Sequence, residues 1–363
     1  MPTIDFNSAV NLNEAANNII CYPRLRHYLV GEPGIGKTSI MELLMAATGM
    51  DGSIMSCPEM DLGDIAMPVI HHETKTTRYY PNARFGFHTG QPMIICLDEY
   101  TKAPQPVQNM LHPLLEIYQP RLGDIPVPEG AWPNGEGEGS IILLTGNNES
   151  DGVGDSMLAH TKQRVIRLPV SKPDHEIWLP WAADHKCDPI VMAWVYRYPH
   201  CLASYTDGHQ DSNEFIFNPT KMQDGVGSPR TLMIASALIN GRGRVTVNAL
   251  RTALEGVIGK SATESIMAFI RHQDSLPSWK DIVTTPMTAE VPTDPGAISV
   301  LVFGGVERVE EDTLSSFMDY LERIDVEWET IFCVTLARHK SKQAIAFKNK
   351  RFADWVTKNE DLL

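Results

Sequence analysis

The sequence predicts an α/β domain built on a parallel five-stranded sheet with helices on both faces, followed by an α-helical domain and a small, mainly helical C-terminal region. Three observations carry that expectation. Residues 25 to 170 alternate short β-rich runs with helical stretches, the pattern of a parallel sheet covered on both sides. A glycine-rich turn, Gly31 to Thr38, sits between the first apolar run and the first helical one. After Pro169 the texture changes to helical periodicity alone.

Taken in order, the candidate strands are His27 to Val30, Ile54 to Ser56, Met93 to Leu97, Ser140 to Leu144 and Val165 to Leu168. Each is short and apolar, and is β-branched or bounded by turn residues, as strands buried on both faces should be. Ser39 to Ala47 predicts the helix after the glycine-rich turn, and Glu129 to Gly139, rich in Gly, Pro and Glu, predicts a solvated loop before the fourth strand. The second domain is expected from the helical runs Ile190 to Tyr198, Thr231 to Ile239, Val247 to Ile258 and Ala262 to His272. Between them, Tyr205 to Ser228 is long and polar and predicts an exposed loop. Pro277, Pro286, Pro292 and Pro295 punctuate a linker to a last unit with helices from Asp312 to Ile324 and Glu327 to Arg338. The expected domains are therefore residues 1–170, 171–285 and 286–363.

Composition narrows the function classes. With 363 residues and 43% hydrophobic content, the chain can bury more than one core. Its apolar runs, such as Met93 to Leu97 and Ile141 to Leu144, fall far short of the roughly 18 residues of a membrane helix. The start, Met1-Pro2-Thr3-Ile4-Asp5-Phe6, lacks the basic and apolar regions of an export signal, so a cytoplasmic location is expected. Six scattered cysteines form no Cys-x-x-Cys pair, which fits reduced thiols. His185, Cys187, His200 and Cys201 cluster in sequence, yet their spacing matches no common zinc-ligand pattern. A formal charge of -14 repels a polyphosphate backbone unless basic residues are segregated, which makes protein the expected partner rather than nucleic acid.

The chemistry is concentrated in three stretches and two arginines. Gly31-Glu32-Pro33-Gly34-Ile35-Gly36-Lys37-Thr38, with Ser39 following, fits Gly-x-x-x-x-Gly-Lys-[Ser/Thr] in full, between an apolar strand and a helix. Small residues let the backbone N–H groups curl toward phosphate oxygens, and the helix N-terminus adds its dipole. Lys37 is expected to reach the β- and γ-phosphates of ATP, and Thr38 to ligate Mg2+. Met93 to Leu97 then delivers Asp98 and Glu99 at the end of a strand, where ligands of open α/β sheets bind. Asp98 is expected to hold the Mg2+ shell. Since neighbouring strand residues point to opposite sides, Glu99 is free for a second task, polarising the attacking water. Ile142 to Asn148 forms another buried strand that ends in amides. There Asn147 either orients the water beside Glu99 or caps a turn. Arg164 and Arg230 are candidates for the cationic groups that phosphoryl transfer requires.

With these elements in this order, the chain resembles the AAA+ ATPases, and within them the MoxR-like group, over about residues 15 to 285. Walker A is Gly31 to Thr38, Walker B is Ile94 to Glu99 and sensor 1 is Asn147. The stretch Met157 to Val165 is similar to the one that ends in an Asp-Arg-Phe arginine finger, which implies that role for Arg164; Gln163 and Val165 depart from the pattern. Ser228-Pro229-Arg230-Thr231 is similar to the sensor 2 motif that opens a lid helix. Ala103 to Asn109 and Leu114-Leu115-Glu116 resemble the family's nucleotide-sensing helix. Asp61 to Arg84 falls where the family carries a helix 2 insert facing the ring pore; Tyr79 and Tyr80 there either grip substrate or pack the insert.

The resemblance implies a homo-oligomer, a hexameric ring, with ATP held between one subunit and a neighbour that donates Arg164. It also implies a chaperone-like role in remodelling, assembling or activating a protein client, such as a VWA-domain or metalloprotein partner. Two other classes stay open at this point. One is a nucleic-acid motor, helicase-like or restriction-type, and the other is a nucleotide-gated structural ring with slow hydrolysis. Residues 286–363 match nothing in the general family.

Overall fold

The computed structural model describes residues 9–148 and 157–362; the opening hexapeptide read for export lies outside them. The described residues form two compact units, the first ending at Lys172 and the second starting at Pro173. In the first, strands β1 (Arg26–Gly31), β2 (Gly52–Ser56), β3 (Ala66–His71), β4 (Thr76–Pro81), β5 (Ile94–Asp98), β6 (Arg121–Leu122), β7 (Ile125–Pro126), β8 (Ile141–Asn147) and β9 (Val165–Pro169) follow one another. Five of them make one parallel sheet in the order β2-β5-β8-β1-β9. These are the five strands read from the sequence. β3 pairs with β4 and β6 with β7 as separate antiparallel hairpins.

Burial along the central strands alternates between two cores, as a period of two requires. Val30, Ile95, Leu97, Ile142 and Leu144 join Phe85, Tyr100 and Leu111 on one face. Leu29, Ile94, Cys96, Ile141 and Leu143 join Ile19, Ile35, Ile40 and Leu44 on the other. Both faces are covered, so β5 and β8 read as unbroken apolar runs.

Helix Leu12–Cys21, absent from the elements expected above, opens the described residues. It starts with a capping box in which Asn11 accepts from the Glu14 N–H and Glu14 accepts from the Asn11 N–H. The helix after the glycine-rich turn begins as a 3-10 turn, Lys37–Ser39, before the α-helix Ile40–Thr48. The stretch read as a solvated loop, Glu129 to Gly139, is largely exposed as expected, with one large side chain as the exception. Trp132 is buried against the sheet, and its indole N–H donates to the Gly139 carbonyl at 2.8 Å. One aromatic side chain outweighs the polar residues around it, because its buried area is large.

The second unit is helical. Pro189–Arg197, Pro229–Asn240, Val247–Ile258 and Lys260–Asp274 surround Trp178, Trp194, Leu232, Ile239, Leu254 and Ile266, joined by Phe303 from helix Pro295–Arg308. Phe317, Tyr320, Phe332 and Phe352 centre a second cluster. The proline-punctuated stretch is more ordered than a linker. It contains helix Trp279–Thr284, and its carbonyls at Pro286, Ala289 and Glu290 accept from Arg323 and Tyr320. Pro295 begins a helix there, behind the N-cap Asp294. The loop from Tyr205 to Ser228 is anchored by Asn218, whose side chain is buried and bonds to the Gln210 carbonyl and Asp211.

Candidate active site

The glycine-rich turn leaves β1 at Gly31 and returns into the 3-10 turn at Lys37. Gly34 and Gly36 have φ of 76° and 97°, the left-handed region where a Cβ is strained, so the loop curls as it does because glycine stands at both positions. Lys37 is buried, and its Nζ donates to the carbonyls of Gly31 (2.9 Å) and Glu32 (2.8 Å) and to Asn147 Oδ1 (3.0 Å). An ammonium can only donate. Asn147 must therefore turn Oδ1 toward Lys37, which directs its NH2 to Glu99 Oε1, 3.5 Å away.

The strand order brings β5 and β8 side by side, so their C-terminal ends deliver Asp98, Glu99, Thr145 and Asn147 to one place. Thr38 Oγ1 donates to Asp98 Oδ1 at 3.3 Å, which joins the turn to the carboxylate. Thr145 was not singled out from the sequence. Its hydroxyl donates to Asp98 Oδ1 and accepts from the Glu99 N–H at 3.0 Å. The available signal was periodicity, because residues two apart on a strand share a face. Thr145 therefore points where Asn147 points. Gly146 between them faces Tyr28, whose hydroxyl would lie 2.1 Å from any added Cβ.

Glu99 differs from the expectation that it continues the strand. β5 ends at Asp98, and Glu99 has φ 51° and ψ 40°, a left-handed conformation that heads the 3-10 turn Tyr100–Lys102. The turn, not strand alternation, separates the two carboxylates. Lys102, also unremarked in the sequence, places Nζ 3.0 Å from Glu99 Oε2. Nearby groups stay uncharged: burial, then Asp98, pushes the Cys57 thiol up to about 12 and the Cys96 thiol well above its usual value.

Arg164 follows the short helix Ala159–Lys162, with Nε 3.2 Å from Glu116 Oε1 and Nη1 donating to the His160 carbonyl at 2.7 Å. None of its contacts among the described residues is to the glycine-rich turn. His160 meets His112 edge to face at 4.8 Å, and burial, followed by Arg164 and His160, holds the His112 imidazole below its usual pKa. Arg230 is exposed in the first turn of helix Pro229–Asn240, whose N-cap Ser228 forms a capping box with Thr231. Tyr79 is exposed on the β3–β4 hairpin, whereas the Tyr80 hydroxyl lies 3.2 Å from His71 Nε2. Among the described residues, no group of three or more His, Cys, Asp or Glu is arranged to hold a metal. The four residues weighed for zinc do not form a site: Cys187 and Cys201 are core residues, and His185 stacks on Trp181.

Residues 27–165 match the family model of the AAA domain, dynein-related subfamily. That match covers β2, β5 and β8, β1 from His27 and only the first residue of β9, and it includes Lys37, Thr38, Asp98, Glu99, Asn147 and Arg164. Over those residues, the match and the strand order together give an AAA-type P-loop α/β fold. No protein of curated function matches the chain. Among solved structures, an inferred ATPase of Cytophaga hutchinsonii is similar at 14% identity over 72% of this chain and 90% of that one, with a TM-score of 0.33. The RuvB Holliday junction branch migration motor of Thermotoga maritima is similar at 14% identity over 86% of each chain, with a TM-score of 0.34. No helix among the described residues is long and apolar enough to cross a membrane.

Proposed function

We propose that the chain is a MoxR-like AAA+ ATPase that hydrolyses ATP between subunits of a ring and uses the cycle to remodel, assemble or activate a protein partner. The observation that carries the catalytic part is the convergence of Lys37, Thr38, Asp98, Glu99 and Asn147 at the ends of adjacent parallel strands. The residues fit the ligands this reading needs. The turn offers curled backbone N–H groups to phosphates, and Thr38 Oγ1 and Asp98 Oδ1 are the hard oxygen donors that Mg2+ takes. Bound there, Mg2+ would neutralise charge on the β- and γ-phosphate oxygens.

The chain's own groups divide the remaining work. Lys37 exchanges carbonyl partners for phosphate oxygens; Asn147 and Glu99 position the attacking water, and Glu99 accepts its proton. Arg164 acts on the site of a neighbouring subunit, and Arg230 responds to the γ-phosphate from the lid. Acidic charge and the Ser228-Pro229-Arg230 motif support a protein client, with a VWA-domain protein as one candidate. The test is a pair of variants. Lys37→Ala should lose ATP binding, whereas Glu99→Gln should bind ATP and lose at least about 100-fold in turnover. Turnover retained in Glu99→Gln, followed by phosphate release, would sink the role of Glu99.

One observation favours a second reading, a nucleic-acid motor. Residues 338 to 351 hold Arg338, Lys340, Lys342, Lys348, Lys350 and Arg351 with no carboxylate, a segregated basic stretch in an acidic chain. Lys342 pairs with Glu310 and Arg351 with Asp319 and Glu322, while Lys340, Lys348 and Lys350 are exposed. ATPase stimulation by DNA or RNA with a steep salt dependence would select this reading.

A further inference from the structure

Glu99 stands in a conformation that its own side chain does not favour. It is one of three non-glycine residues with positive φ among the described residues, beside Lys75 and Lys186. The left-handed region is strained for a residue with a Cβ, so neighbouring groups must hold it there. The main chain is held on both sides. Its N–H donates to Thr145 Oγ1 at 3.0 Å, and its carbonyl accepts the Lys102 N–H at 2.9 Å across the 3-10 turn.

The carboxylate is held unequally. Asn147 approaches Oε1 at 3.5 Å, the outer limit of a hydrogen bond. Lys102 reaches Oε2 at 3.0 Å, so one residue grips Glu99 at backbone and side chain alike. The ordinary reading is a surface ion pair three residues apart. Such a pair adds little to stability, and here the Glu99 side chain is 42% exposed and that of Lys102 24%. That reading leaves the position of the pair unexplained: it closes on the carboxylate that shares Asn147 with Lys37.

We propose that Lys102 is a positioning residue that fixes the Glu99 carboxylate toward the attacking water. This rests on the ATPase reading of the site. A Glu side chain freed of that contact samples several rotamers, and a misplacement of about 1 Å in a reacting group costs on the order of 100-fold in rate. Lys102 touches neither the glycine-rich turn nor Asp98 among the described contacts, so nucleotide affinity does not depend on it.

The experiment is steady-state ATPase kinetics on Lys102→Met, which keeps the apolar stem, and Lys102→Arg, which keeps the charge. Fluorescent-nucleotide binding and circular dichroism on the same full-length variants show whether each is folded. Lys102→Met should lower kcat by about 10- to 100-fold with KM and nucleotide affinity within about 2-fold, and Lys102→Arg should recover most of the loss. A kcat within about 2-fold of the unmodified chain in Lys102→Met overturns the proposal and leaves the ATPase reading standing. So does a change confined to KM, or a loss that Lys102→Arg does not recover. Absence of turnover in the unmodified ring removes the ATPase reading itself, a result separable from the others.

Discussion

Thr145 shows how little the obvious motifs say about the geometry they need. One hydroxyl donates to Asp98 Oδ1 and accepts from the Glu99 N–H, so a neutral side chain helps set the relative positions of two neighbouring acidic residues. Valine has the same shape and neither bond. Thr145→Val leaves the Glu99 N–H without its acceptor in a part-buried position, at a cost of about 1–3 kcal/mol. It also frees Asp98 from one of its two hydroxyl partners. The expected outcome is a lower turnover, a higher Mg2+ concentration for half-maximal activity and a lower melting temperature; Thr145→Ser should restore the first two. A magnesium titration of the ATPase rate, beside a thermal melt, checks it. An unchanged Mg2+ requirement in Thr145→Val would mean that Asp98 needs no orientation from β8.

At the scale of elements, His27 ties the first strand to the opening helix, its Nε2 lying 3.1 Å from Asn18 Oδ1. Burial, the largest cause, lowers its pKa from 6.5 to about 4. The ring is therefore neutral in the fold, whereas the unfolded chain takes up a proton below about 6.5. Its contribution to stability is fully present above that pH and is lost as pH falls from about 6.5 to about 4, at no more than about 1.4 kcal/mol per unit. His27→Gln should show a smaller fall in urea midpoint between pH 7.5 and pH 5 than the unmodified chain; equal falls would show that His27 is not a source of the acid sensitivity. How legible each element was has a physical reason. β5 and β8 could be read because strands buried on both faces are unbroken apolar runs. Helix Leu12–Cys21 could have been read from its Asn11 and Glu14 cap. Helix Pro295–Arg308 could not, because Gly296, Gly304, Gly305 and four β-branched residues, Ile298, Val300, Val302 and Val306, argue against a helix locally. Packing decides there: the helix contributes to both cores of the second unit, and Gly305 leaves room for the Phe317 ring. In the site, the glycine-rich turn, Asp98 and Asn147 were readable from spacing. The left-handed turn at Glu99 was not, because it depends on Thr145 from a strand 46 residues away.

For the whole molecule, the question that decides the mechanism is where Arg164 acts. In its own chain the guanidinium is held by Glu116 and the His160 carbonyl, and it is about one-third exposed, so it can be presented to a neighbour without losing its orientation. If it completes the site of the next subunit, two defective chains can repair each other. Arg164→Ala has an intact nucleotide site but no cation to donate. Lys37→Ala binds no nucleotide but still carries Arg164. Each should be nearly inactive alone. In an equal mixture that exchanges subunits freely, about a quarter of the interfaces pair an intact nucleotide site with an intact arginine, since each condition is met half the time in a head-to-tail ring. The mixture should therefore recover about a quarter of the unmodified rate, less any loss from interrupted coordination around the ring. An arginine acting within its own chain gives no recovery at any mixing ratio, because no chain then holds both groups. The same titration reports assembly, since the recovered rate per subunit must fall on dilution below the concentration at which the ring forms.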